Sequence, residues 1–326
     1  MRVLFTSLAS VGHTYPLIPL AVAVREAGHE VHFAAGENVH ASLHRNGLRP
    51  FRPADSFYEI YAEDLEPDLA RLRPDLVVHE WGQPGPAVAA QRAGIPSLWH
   101  GFGRLFPDGI GLQRPVPDAP HLDICPPSLQ DKDFLATAER IELRPVAYSE
   151  PLPEWRVERT SRPLVYLTLG TAFGTAEVLA TAIEGLTALG VDVVVAAGNV
   201  QLGAVPKNVT VQSWVPQAEL LPYVDAVVHH GGSGTTLGAL AVGAPQLMLP
   251  QGADQFANAE ALSAAGAALR ILPGELSTDN VAEGVRTLLS RHSGHRDAAR
   301  AIAEEIARMP SPDEVARDLP KWATAK

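Results

Sequence analysis

The chain has 326 residues, 46% of them apolar, a formal net charge of −11 and one cysteine, Cys125. That length supports two domains with cores of their own. The acidic balance excludes an electrostatic nucleic-acid footprint, and a lone thiol excludes a disulfide framework and fits a reducing cytoplasm. No apolar run approaches the roughly 18 residues of a membrane span. The sequence opens directly on strand-like MRVLFTSL, so no signal peptide is expected.

Read in chain order, the first half alternates strand and helix. Val3–Ser7 reads as a buried strand, followed by a loop carrying Gly12 and His13. Thr14 is placed to cap a helix running to Ala27, with Gly28 beyond its end. Strands are expected at His29–Ala35, Leu76–His79 and Ser97–Gly101, with a weaker one at Pro50–Pro53. Helices are expected at Glu37–Asn46, Leu65–Leu72 and Gly85–Ala93. Phe106–Pro127 is rich in Pro, Gly and Asp and reads as loop, and Leu143–Pro163 reads as a connector. A second alternating block follows, with strands at Leu164–Leu169, Val191–Ala196, Val209–Ser213, Ala226–His229 and Gln246–Leu249. Ser311-Pro312-Asp313-Glu314 signals the start of a last helix. The predicted class is α/β: two consecutive doubly wound, Rossmann-like domains facing across a cleft, with ligands beyond the carboxyl ends of the strands.

The densest signal lies between residues 213 and 255. The strand Ala226–Val228 runs into His229-His230-Gly231-Gly232-Ser233-Gly234, and Thr235 opens a helix. Helix amino-termini present unpaired N–H groups and a partial positive charge, so this order suits a phosphate. Elsewhere, Asp131-Lys132-Asp133 has metal-motif spacing but sits in a polar stretch and reads as surface. No His/Cys/Asp cluster has ligand spacing, and neither a metal nor another cofactor is expected.

GHTYPLIPLA at 12–21, RPLVYLTLGT at 162–171, WVPQ at 214–217, HHGGSGTT at 229–236 and GADQFANA at 252–259 resemble an inverting glycosyltransferase of the GT-B fold. The closer resemblance is to actinomycete enzymes that attach deoxysugars to natural products such as macrolides and enediynes. The resemblance implies an acceptor-binding domain over residues 1–145, a linker over 146–162, a nucleotide-sugar domain over 163–310, and a C-terminal helix over 311–326 returning toward the first domain. It implies His13 as the base that deprotonates an acceptor hydroxyl. Plant relatives orient that histidine with an aspartate whose position here is Pro84; Glu80 is the candidate substitute.

The resemblance further implies His230, Gly232, Gly234 and Thr235 as the diphosphate cradle and Trp214 with Gln217 at the nucleobase. Asp254 and Gln255 would meet the donor sugar, and Thr171 would lie near the phosphates. His229 reads as strand-end packing. Plant relatives grip the ribose with a glutamate three residues after the position of Thr235, here Gly238, which favours a dTDP-sugar over a UDP-sugar. The first half is short for the family near Ala54–Ala62 and Arg104–Asp118. The partners implied are a nucleotide-sugar donor and a small hydroxylated acceptor, with homo-oligomerisation left open. Two other readings stay open at this point: a donor-binding auxiliary protein that transfers nothing, and a sugar-nucleotide epimerase of the same fold.

Overall fold

A computed structural model describes all residues except 55, 106–118, 158, 171–173 and 324–326. It divides into two compact units, Met1–Tyr148 with Arg308–Lys326, and Ser149–Ala307.

The first unit is built on a seven-stranded, wholly parallel sheet. Its strands are β1 (Arg2–Thr6), β2 (Glu30–Ala34), β3 (Arg49–Phe51), β4 (Leu76–Glu80), β5 (Ser97–His100), β6 (His121–Asp123) and β7 (Arg140–Glu142). They lie in the order β3-β2-β1-β4-β5-β6-β7. Helices cover both faces, which is why the central strands read as continuous apolar runs; every residue of β4 is buried. The second unit repeats the plan with six parallel strands: β8 (Leu164–Thr168), β9 (Asp192–Ala196), β10 (Val209–Gln212), β11 (Ala226–His229), β12 (Gln246–Met248) and β13 (Ala268–Arg270). Their order is β10-β9-β8-β11-β12-β13. In both sheets the order reverses beside the first strand, between β1 and β4 and between β8 and β11. Crossovers leave such a point in opposite directions and open a crevice at the strands' carboxyl ends.

Several local expectations are revised. His13 lies in a helical turn, Val11–Thr14, and not in a loop. The helix expected from Thr14 to Ala27 is divided: a 3-10 turn over Tyr15–Leu17 precedes the helix Ile18–Glu26, with Pro16 and Pro19 opening the successive segments. Thr14 caps nothing; its hydroxyl meets Leu8 O at 3.0 Å and Ser7 Oγ at 2.8 Å. Within the stretch read as loop, residues 121–123 form β6, three residues too short to leave a periodic pattern. Asp131 is a helix cap, accepting the Phe134 N–H at 2.9 Å. At the other end of the chain, Ser311 and Glu314 form a reciprocal capping box, and the helix Pro312–Asp318 packs on Ile18–Glu26 within the first unit.

Candidate active site

In the first unit the polar residues gather at the switch point of the sheet. Glu80 ends β4 with its side chain fully buried, and its Oε1 lies 2.9 Å from Nδ1 of His13, whose side chain is 30% exposed. A carboxylate only accepts, so this contact puts the ring proton on Nδ1 and makes Nε2 the basic nitrogen of the ring. Gly82 leaves room for the carboxyl, since a Cβ there would stand 3.0 Å from Oε2. Pro84 opens the helix Pro84–Ala93 and brings no polar group to the histidine. Phe102 packs beside the imidazole with centroids 5.6 Å apart, and Trp81 packs on Phe102 at 5.3 Å.

In the second unit the glycine turn sits at the other switch point. The helix Ser233–Ala241 starts two residues before the position expected for Thr235. Gly232 is its N-cap, and no side chain caps that end. His230 is half-buried between two glycines. A Cβ on Gly170 would fall 2.7 Å from its ring, and one on Gly232 would fall 2.4 Å from its Nε2. Burial pushes the His230 imidazole down to about 4. Its Nδ1 is buried and meets no hydrogen-bond partner among the described residues. Such an atom marks a place for a ligand or an ordered water.

The turn itself is braced by a buried polar lattice. Gly231 adopts φ +96°, a backbone state suited to glycine. Its N–H donates to His229 Nδ1 at 3.1 Å. That fixes the His229 proton on Nε2, which donates to Gln246 Oε1 at 2.7 Å, and Gln246 Nε2 in turn donates to Thr236 O at 3.3 Å. Burial drives the His229 ring down to about 3, so it stays neutral and keeps its acceptor. His229 therefore does more than fill the strand end. On the other side, Asn258 Nδ2 donates to Gly231 O at 2.9 Å, to Asp254 Oδ2 at 2.9 Å and to Ser233 Oγ at 3.2 Å.

The remaining candidates are placed as follows. Asp254 stands at the N-cap position of the helix Gln255–Ala264 without capping it; its Oδ2 also accepts from Ser233 Oγ at 3.0 Å. It follows Ala253, held at φ +52° in the left-handed region. Gln255 is 3% exposed, and its Oε1 accepts the N–H groups of Gln251 and Gly252 at 2.8 and 3.1 Å. Thr235 donates to Gln217 Oε1 at 3.2 Å, joining the WVPQ segment to the turn. The half-buried Trp214 donates its indole N–H to Glu150 O at 3.3 Å. Gly234 is in the helix's first turn with open space where a Cβ would stand. Thr171 lies outside the described residues.

Sequence reading assigned nothing to Trp81, Phe102, Gln246 or Asn258. Only Asn258 carried a signal, falling four residues after Asp254 and so on the same helix face. Among the described residues no group of three or more His, Cys, Asp or Glu side chains converges to hold a metal ion. No described helix is long and apolar enough to cross a membrane.

Residues 180–321 match the family model of the erythromycin biosynthesis protein CIII-like C-terminal domain. The L-demethylnoviosyl transferase of Streptomyces niveus is 34% identical, the alignment covering 98% of this chain and 97% of that protein. It runs over 377 positions against 326 residues, so the relative carries segments that this chain lacks. The solved spinosyn forosaminyltransferase SpnP superposes with a TM-score of 0.88 at 26% identity, covering 100% of both chains. The spinosyn rhamnosyltransferase SpnG, solved with thymidine diphosphate, gives 0.81 at 28%, covering 98% of this chain and 100% of that one. With the doubly wound pair of sheets, the phosphate-type turn and this similarity along the whole chain, the protein belongs to the GT-B glycosyltransferases that include the actinomycete deoxysugar transferases of antibiotic biosynthesis.

Proposed function

We propose that the protein moves a sugar, with inversion, from a dTDP-sugar to a hydroxyl of a small natural-product acceptor. The observation that carries this reading is the 2.9 Å contact between His13 and the buried Glu80 at a sheet switch point. An auxiliary donor-binding protein has no use for an oriented imidazole, and an epimerase has no acceptor hydroxyl to deprotonate. Glu80 holds the Nδ1 proton and stabilises the imidazolium that forms. Nε2 removes the acceptor proton as the oxygen attacks the anomeric carbon opposite the leaving diphosphate. The turn at 230–235 receives that diphosphate. Backbone N–H groups at the uncapped helix end, that of Thr235 among them, and the His230 imidazole meet the developing charge. Such fixed donors are in place before the reaction and need no reorganisation during it.

Asp254 reads the donor sugar through the face left by Ser233 and Asn258, with Gln255 shaping the same bend. Trp214 and Gln217 serve the base, and the part of Thr171 at the phosphates rests on the sequence resemblance alone. Thymidine over uridine is supported by Gly238, which offers no clamp for a 2′-hydroxyl, and by the thymidine diphosphate found in SpnG. We assign residues 1–145 to the acceptor, 163–310 to the donor, 146–162 to the linker and 311–326 to a C-terminal segment whose helix Pro312–Asp318 packs on the first unit. The one cysteine of the sequence, the buried Cys125, fits a cytoplasmic site of action.

The test is His13→Ala assayed for transfer from dTDP-glucose and for calorimetric binding of the same donor. Transfer is expected to disappear while donor binding stays within about threefold; equal loss of both would remove His13 from the role of base.

A further inference from the structure

Folding leaves three aromatic side chains uncovered at the carboxyl end of the sheet that carries the histidine. Phe57, Tyr58 and Tyr61 are 74%, 53% and 60% exposed, although the chain has only 20 aromatic residues in all. An apolar group of this size standing in water marks a binding surface more often than an accident of packing.

The backbone beneath these rings is closely fitted. Tyr58 O accepts the Ala9 N–H at 3.0 Å, four residues before His13. A Cβ on Gly36 would lie 2.0 Å from Phe57 O, and one on Gly85 would lie 2.2 Å from Ile60 O. Residues 57–61 therefore run tightly over the carboxyl ends of β1, β2 and β4, with their rings turned outward. The Arg52 guanidinium sits 5.0 Å above the Phe57 ring, a cation–π contact on the same segment. At the same end of the sheet the half-buried Trp81 packs on Phe102, and Phe102 packs on the imidazole. Five aromatic rings thus border one end of one sheet, and that end holds the base.

We propose that this wall binds a planar aromatic acceptor and that the hydroxyl glycosylated is a phenol. Flat rings find offset-stacked and edge-to-face partners along such a wall, whereas a puckered aliphatic ring meets it with less contact. The chemistry agrees. A phenol ionises near 10, as tyrosine does, within reach of an imidazole base at neutral pH. The hydroxyl proton passes to His13 Nε2, the phenolic oxygen forms the glycosidic bond, and the bond to the diphosphate breaks with its electron pair leaving on the phosphate. The inference rests on the transferase reading above and narrows it to one acceptor class.

The experiment compares transfer from dTDP-glucose to flat phenols (4-methylumbelliferone, alizarin, genistein) and to the alicyclic alcohol cyclododecanol. It does so in the parent and in the Trp81→Leu, Phe102→Leu and Phe57→Ser/Tyr61→Ser variants. Phenols are expected to be the working acceptors. Each single variant should raise the phenol KM about tenfold and the exposed double variant about fivefold, with calorimetric binding of dTDP-glucose changed less than twofold. The surface double variant keeps the test open if Trp81→Leu fails to fold. Transfer to cyclododecanol but to no phenol would overturn the acceptor class and leave the transferase intact. Transfer to neither, with donor still bound, would overturn the transferase reading itself. Unchanged phenol KM in the double variant with a shift in oligomeric state on gel filtration would make the exposed rings an interface between copies and sink the proposal.

Discussion

Acid should unfold this protein through its buried histidines, most cleanly in the second unit. His229 and His230 are pushed down to about 3 and about 4 by burial, against an ordinary value of 6.5. Well above pH 6.5 both rings are neutral in the folded and the unfolded chain, and they contribute little pH dependence. Below 6.5 the unfolded chain takes up protons that the folded chain refuses, so stability falls as pH falls. Each ring costs about 1.4 kcal/mol per pH unit until its folded value is reached. At pH 5 the two together cost about 4 kcal/mol, a large share of the roughly 5–15 kcal/mol that holds a domain folded.

The first unit has the same liability in His79 and His100, both lowered to about 4 by burial. There the loss is softened by Asp123, which burial raises. Its carboxyl takes up a proton in the folded state before the unfolded one does, which works in the opposite direction. The assay is urea unfolding at steps from pH 8 to 5 on the parent and on His229→Gln. The transition of the second unit should be flat above pH 7. Below pH 6 it should fall with a slope approaching two protons, and His229→Gln should bring that slope to one. A slope under one proton in the parent, or an unchanged slope in the variant, would refute the view that these rings stay neutral in the fold.

Other outcomes follow from the same geometry. Glu80→Gln keeps the shape of the contact but removes the charge that steadies the imidazolium, so kcat should fall about 100-fold with the donor KM unchanged; steady-state kinetics within threefold of the parent would dismiss Glu80. Gly231→Ala forces a side chain into φ +96°, with its Cβ 3.0 Å from Gln255 O. That strain, of order 1–3 kcal/mol, should weaken calorimetric binding of thymidine diphosphate at least tenfold. Asn258→Ala removes the donor shared by Gly231 O, Ser233 and Asp254. It should weaken dTDP-glucose binding more than thymidine diphosphate binding, because it frees the Asp254 carboxylate as well as the turn. Equal effects on the two ligands would confine Asn258 to a structural role.

The sequence alone determined the repeated strand–helix order and the glycine turn, because both are local. A strand covered on both faces must be apolar along its length, as Leu76–Val78 and Ala226–Val228 are, and a turn that passes through φ +96° at Gly231 needs a glycine. It also fixed the last helix, since the capping box at Ser311 and Glu314 spans four residues. It missed β6, whose three residues show no period, and it read His13 as loop because two prolines disguised a helical turn.

Glu80, 67 residues from His13, was in sequence only a candidate substitute for a missing aspartate until β4 was laid beside β1. In the same way, Gly170 makes room for His230 because β8 and β11 are neighbours. His229 becomes a brace because β12 brings Gln246 against it, and Trp81 and Phe102 form one wall because β4 and β5 pair. These depend on strand order and register, which are settled by how the whole sheet buries its two faces, and no short window of sequence contains them.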